Sequence, residues 1–245
     1  MREKSSIVLE FFGLAGSGKS TLCAHIYKFL EEEGVRVLKP MDEVYIAHNT
    51  SISKSLYYSK VFFSNLRRSI KYGKLIFISK QKRFNSIIGL LTVLLARSVE
   101  MQKCNDNFTV YLFDEGVFQL LWSIGFDSKR KDLITFFEKL TSVMKMPDIV
   151  IIVNSSMDKA INRIIDRGKC DRMDLILPHD SGGVSKALEL HQVLKHIIKI
   201  NTKKKAHMEV FQINNEFEVD IENNALKISK IIRSRFMKMT KKCRN

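Results

Sequence analysis

Gly13-Leu14-Ala15-Gly16-Ser17-Gly18-Lys19-Ser20 fits the pattern GxxxxGK[ST] at every defined position, and its flanks give the pattern a structural meaning. The run from Ile7 to Phe12 before it, rich in β-branched and aromatic residues, reads as a strand, and the run from Ser20 to Glu33 after it has helical periodicity. A strand that turns through glycines into a helix directs backbone N–H groups and the helix N-terminus at one point, which is an anion site suited to phosphate. Glycines let the main chain come close to that anion. Lys19 then reaches the β- and γ-phosphates of ATP, Ser20 and Thr21 open the helix, and the Ser20 hydroxyl ligates Mg²⁺.

Outward from this loop the same alternation repeats. Apolar runs at Val35 to Leu38, Phe108 to Phe113, Asp148 to Val153 and Met208 to Ile213 are four more strand candidates. Between them lie helical stretches: Ser51 to Lys103, Val117 to Met144, Met157 to Arg167, Val184 to Lys203 and Val219 to Met237. Strands alternating with helices imply an α/β fold, a parallel sheet covered on both faces. Gly34 supplies a left-handed residue to close the first helix, and Pro147 stops the helix before the fourth strand. No repeat, linker or shift of composition divides residues 1–245, so the chain reads as a single domain.

The third strand ends in Val110-Tyr111-Leu112-Phe113-Asp114-Glu115, which puts two carboxylates at the sheet edge where doubly wound folds bind ligands. Asp114 is read as the partner of Mg²⁺, and Glu115 as the acceptor of a proton from an attacking hydroxyl or water. After the fourth strand, Arg163 and Arg167 stand four apart on one helix face, and Arg172 follows beyond Gly168. Phosphoryl transfer needs positive charge at the equatorial oxygens and exclusion of water, so arginines on a hinged loop suit it. Gly182-Gly183 is read as the far hinge of that loop.

The chain carries 41 Lys and Arg against 26 Asp and Glu, a formal charge of +15, which favours polyanionic partners. The excess is uneven, because there is no Asp or Glu from Val44 to Val99 while ten basic residues fall there. A second basic cluster runs from Arg233 to Arg244. Cys23, Cys104, Cys170 and Cys243 are far apart and in no metal spacing, so reduced thiols and a cytoplasmic location are expected. The N-terminal apolar run is too short for a cleaved leader, and Ile87 to Ala96 is about half the length that crosses a bilayer, so it reads as a buried helix. His191 and His196, five apart, read as surface or core residues, not metal ligands. Ser181-Gly182-Gly183 follows the fourth strand, the wrong place for a transporter-type ATPase signature, and the absence of Asn-Lys-x-Asp argues against a guanine switch.

The phosphate loop, the Asp-Glu strand end and the run from Ala160 through Arg163, Arg167 and Cys170 to Arg172 together resemble the thymidylate kinase branch of the P-loop nucleoside and nucleotide kinases. The resemblance implies a five-stranded parallel sheet flanked by helices, ATP across Gly13 to Thr21, and a helical lid at about residues 167–183 whose Arg167 and Arg172 close over the phosphoryl group. It also places Asn214 and Asn215 near the adenine, and the acceptor over the basic helical region of about residues 44–103. Two features depart from the branch: Asp114-Glu115 stands where it has Asp-Arg, and Lys39-Pro40-Met41-Asp42-Glu43 matches its acceptor motif poorly. The reading is therefore a phosphotransferase acting from Mg·ATP on a small acceptor, whether a nucleoside monophosphate, nucleoside or sugar, with the acid-free segment from Val44 to Val99 favouring an anionic one. A regulatory or nucleic-acid-associated ATPase, and a kinase of an envelope or lipid-linked sugar, stand as alternatives. The basic segments suit an anionic surface, membrane or nucleic acid, and a homodimer is compatible with the chain.

Overall fold

The computed structural model describes residues 6–82, 84–167, 181–205 and 207–242. In chain order the elements are β1 Ser6–Phe12, α1 Lys19–Glu32, β2 Val37–Leu38, α2 Pro40–Ala47, α3 Ser51–Ser64, α4 Leu66–Ile78, α5 Phe84–Lys103, β3 Thr109–Phe113, α6 Val117–Phe126, α7 Leu133–Thr141, β4 Ile149–Asn154, α8 Met157–Arg167, α9 Ser181–Lys204, β5 Glu209–Asn214 and α10 Glu218–Lys242. The strands form one parallel sheet in the order β2-β3-β1-β4-β5.

Period-2 alternation builds a core on each face of the sheet. Ile7, Leu9 and Phe11 of β1 point into one core with Val110 and Leu112 of β3 and Ile149, Ile151 and Val153 of β4, beneath α1 and α10. Val8 and Phe12 of β1 point the other way, with Tyr111, Phe113, Val150 and Ile152, into the core covered by α4, α5, α6, α7 and α9. Glu10 lies between Val8 and Phe12 on that second face and is fully buried.

All five expected strands form, but two long helical stretches are divided. Residues 51–103 make three helices, because Asn65 leaves helical geometry between α3 and α4, and Lys80 adopts φ 53° after α4. That second break is held from outside: the Ser128 hydroxyl donates to Ser79 O at 2.5 Å, and Lys129 N donates to Lys80 O at 3.0 Å. Residues 117–144 likewise split into α6 and α7, and α2 adds a helix not anticipated after β2. Within Ile87–Ala96, Leu90, Leu94, Leu95 and Ala96 are buried, Leu91, Thr92 and Val93 half-buried and Ile88 exposed. Among the described residues no helix is long and apolar enough to cross a membrane.

Candidate active site

β1 and β3 are neighbours in the sheet, so the loop leaving Phe12 and the turn leaving Phe113 start from adjacent strand ends. Residues 13–18 wrap above β1, and Gly16 and Gly18 adopt φ 77° and 90°, conformations that L side chains rarely take. A Cβ at Gly16 would sit 2.1 Å from Ala160 O in α8, and one at Gly18 would sit 2.1 Å from Asn215 Nδ2. The loop is thus pressed between α8 and the turn after β5.

Three side chains hold its carbonyls. Lys19, itself buried, donates through Nζ to Gly13 O at 3.0 Å and Leu14 O at 2.9 Å. Asn215 Nδ2 donates to Ser17 O at 2.6 Å. Arg163 Nη1 donates to Asn215 O at 3.2 Å and Gly16 O at 3.4 Å. With these carbonyls engaged, N–H groups of the turn into α1 would be available to an anion, the arrangement that binds phosphate.

Asp114 faces this turn. The Ser20 hydroxyl lies near enough to its carboxyl to favour the charged form, while Oδ1 is buried with no hydrogen-bond partner. Burial pushes its pKa above the ordinary value, and the Ser20 hydrogen bond and the Lys19 charge pull it part of the way back. A buried carboxylate oxygen without a partner is costly, and a divalent cation shared with Ser20 would satisfy it.

Glu115 is exposed, but Arg97 of α5 fixes its direction: Arg97 Nη2 donates to Glu115 Oε2 at 2.9 Å and Nη1 to Gly116 O at 3.1 Å. The Arg97 guanidinium is buried and turned wholly into this corner. Beneath it, Glu10 Oε1 accepts Phe118 N at 2.5 Å, and the N–H groups of Val117 and Gln119 also point at the carboxylate. Glu10 therefore caps α6 from the neighbouring strand. Burial still lifts its pKa to about 7, against those N–H groups and Arg97.

His191 of α9 stacks on Phe12 with ring centroids 4.9 Å apart, and burial, followed by Lys195 and Lys19, lowers its pKa to about 4. It is a neutral core residue next to the phosphate loop, as the sequence spacing suggested.

The residues expected from sequence are thus distributed as follows. Gly13 through Thr21, Asp114, Glu115 and Arg163 converge on one end of the sheet. Asn214 ends β5, with its carbonyl taken by Asn224 Nδ2 at 3.1 Å, whereas Asn215 braces the loop. Arg167 closes α8, and its side chain lies outside the described residues, as do Arg172 and most of the expected lid. Gly182 and Gly183, expected as a hinge of the lid, lie in the first turn of α9, which begins at Ser181. Arg97 and Glu10 had no role in the sequence reading. Arg97 lies 18 residues from Glu115 and Glu10 lies 108 from Phe118, so no local spacing connects them.

This arrangement of sheet order and loop is the fold of the P-loop nucleoside and nucleotide kinases. Deoxyadenosine kinase from M. mycoides with dCMP and dCDP bound is similar at TM-score 0.54 and 19% identity, covering 93% of this chain and 100% of that one. The same enzyme with bound dCTP gives TM-score 0.50 and 19% identity over 91% of this chain and 100% of that one. Thymidylate kinase from Candida albicans matches with TM-score 0.49 at 14% identity over 94% of this chain and 92% of that one. No family model and no curated protein sequence matches the chain.

Proposed function

We propose that the chain is a phosphotransferase that moves the γ-phosphoryl group of Mg·ATP to a hydroxyl of a small acceptor. The observation that carries this reading is the junction of the glycine loop with Asp114, whose carboxyl lies beside Ser20 and keeps a buried, unpartnered oxygen. Ser20 and Asp114 would hold Mg²⁺, with phosphate oxygens and water completing its shell. When bound, the ion offsets negative charge on the β- and γ-phosphates.

The chain's own residues divide the remaining work. N–H groups of residues 13–20 bind the phosphates, and Lys19 exchanges its carbonyl partners for phosphate oxygens. Glu115, oriented by Arg97, takes the proton of the attacking hydroxyl. Arg163 maintains the loop, and Arg167 and Arg172 are proposed to close over the transferring group. Asn214 is proposed to line the adenine side.

An Arg97 already committed to Gly116 O and to Glu115, and an exposed Glu115 carboxylate, suit an unphosphorylated hydroxyl, as on a nucleoside or sugar, better than a monophosphate. One of the structurally similar enzymes is a deoxyadenosine kinase, which accords with a nucleoside acceptor. The test is Mg·ATP turnover against nucleosides, nucleoside monophosphates and sugars, with Lys19→Ala as control. A phosphorylated product that depends on Lys19 supports the proposal; ADP formed only by hydrolysis, indifferent to every acceptor, overturns it.

A further inference from the structure

Ten of the sixteen large apolar side chains exposed among the described residues fall between Tyr45 and Ile88. They occur at helical spacing. On α3, Ile52, Leu56 and Phe63 share an outward face with Lys60, and Ile52 and Phe63 are 75% and 72% exposed. On α4 the outward face carries Leu66, Ile70 and Phe77, the last 71% exposed, together with Arg67, Lys71 and Lys74. A groove of about 570 Å³ between α3 and α5, walled by Tyr58, Phe62, Phe63 and Ile88 and edged by Lys54, adjoins the first face.

Ordinary soluble helices put apolar residues inward and charges outward. Here the inward faces are already occupied, by Val61 on α3 and by Tyr72, Leu75 and Ile76 on α4, so the outward apolar residues are surplus to the fold. The only formal charges from residue 44 to residue 99 are positive. An isologous pairing of two copies on this surface would set lysine and arginine against lysine and arginine, with no carboxylate from these helices to relieve it. A nucleic-acid backbone would take the charges and leave Phe63, Phe77 and Ile52 in water. Apolar side chains mixed with cations and free of acids match one partner on both counts, an anionic lipid surface, where the apolar groups enter the acyl boundary and the cations meet headgroup phosphates.

We infer that the outward faces of α3 and α4, with the adjoining end of α5, form a peripheral membrane-docking surface selective for anionic lipid. It holds the protein on the leaflet without spanning it. The inference is independent of the acceptor's identity and of catalysis.

The experiment is co-sedimentation of the full chain with vesicles of phosphatidylglycerol and phosphatidylcholine in equal parts, against vesicles of phosphatidylcholine alone. Binding to the first and not the second is expected, weakened by salt. Arg67→Gln with Lys71→Gln lowers the partition coefficient about thirtyfold, on the basis of two cations near the surface. Phe63→Ser with Phe77→Ser lowers it at least tenfold, with the melting temperature in the absence of lipid serving as the check on folding. Failure to sediment with anionic vesicles overturns the inference, as does equal binding by folded variants. Dimerisation lost in the Phe63→Ser, Phe77→Ser variant, or retention of single-stranded nucleic acid, overturns it where anionic vesicles give no binding.

Discussion

Replacing Gly16 with alanine separates two effects that glycine substitutions usually mix. Gly34, at the end of α1, has φ 71° and no atom within 4 Å of a built Cβ, whereas Gly16 has φ 77° and meets Ala160 O at 2.1 Å. Holding alanine at positive φ costs about 1–2 kcal/mol, and the loss of freedom in the unfolded chain returns about 0.4–1 kcal/mol. Both variants should therefore lose about 1 kcal/mol from backbone conformation alone. For Gly34→Ala that is the whole effect. For Gly16→Ala the opposing atom is helix backbone, which cannot swing aside, so the loop must retreat by about 1 Å to restore contact distance. A displacement of that size at a phosphate-binding group is worth roughly a hundredfold. Thermal melts with and without Mg·ATP measure this directly. At about 100 times Kd the ligand adds about 2.7 kcal/mol, a rise of roughly 5–10 °C for a chain of this length. Gly34→Ala should keep that rise, and Gly16→Ala, with a hundredfold weaker Kd, should show about 1 °C at the same concentration. An undiminished rise in Gly16→Ala would refute the argument that α8 fixes the loop.

Three other outcomes are expected. Glu115→Gln should lower turnover by about a hundredfold or more while Mg·ATP binding stays near its original strength, and unchanged turnover would remove Glu115 from proton transfer. Asp114→Asn should abolish the part of ATP affinity that depends on Mg²⁺ and leave binding in EDTA unaltered, as read by calorimetry with and without the metal. Glu10 titrates near pH 7 when folded and near 4.5 when free, so the folded state holds the extra proton between those values. Its contribution to stability is complete below about pH 4.5, falls as pH rises towards 7 by at most about 1.4 kcal/mol per unit, and changes little above that. Urea titrations of Glu10→Gln across this range should lack the fall seen in the parent, and identical slopes would show that the burial of Glu10 is not linked to its proton.

How far the molecule could be read beforehand depended on the range of the forces involved. The strands were legible because each is a short β-branched or aromatic run bounded by polar residues, and the phosphate loop because strand, glycines and helix are contiguous. The division of residues 51–103 was hidden: the two glycines in this stretch, Gly73 and Gly89, lie inside α4 and α5, while the break falls at Lys80, held by Ser128 and Lys129. A tertiary contact set that boundary against local preference. The site divides in the same way. Lys19, Ser20 and Asp114 follow from adjacency to strand ends, but Arg97 and Glu10 act across the fold. Arg97 stood out in sequence only as one member of a basic run, and Glu10 only as a charge in the middle of an apolar strand. That second anomaly was a usable signal, since a carboxylate buried in a central strand needs donors, and a helix N-terminus is the nearest supply.

The packing of Glu10 beneath Gly116 bears on how such a sequence can drift. A Cβ on residue 116 would lie 2.2 Å from Glu10 Cδ. The Glu10 carboxyl group is what a larger residue there would meet first. Positions 10 and 116 are therefore one unit of inheritance: an alanine at 116 is admissible only in a descendant whose residue 10 has shortened, and that descendant must find another acceptor for the three N–H groups opening α6. Relatives of this chain that keep Glu at position 10 should therefore keep Gly at 116, whatever distance separates the two in the alignment.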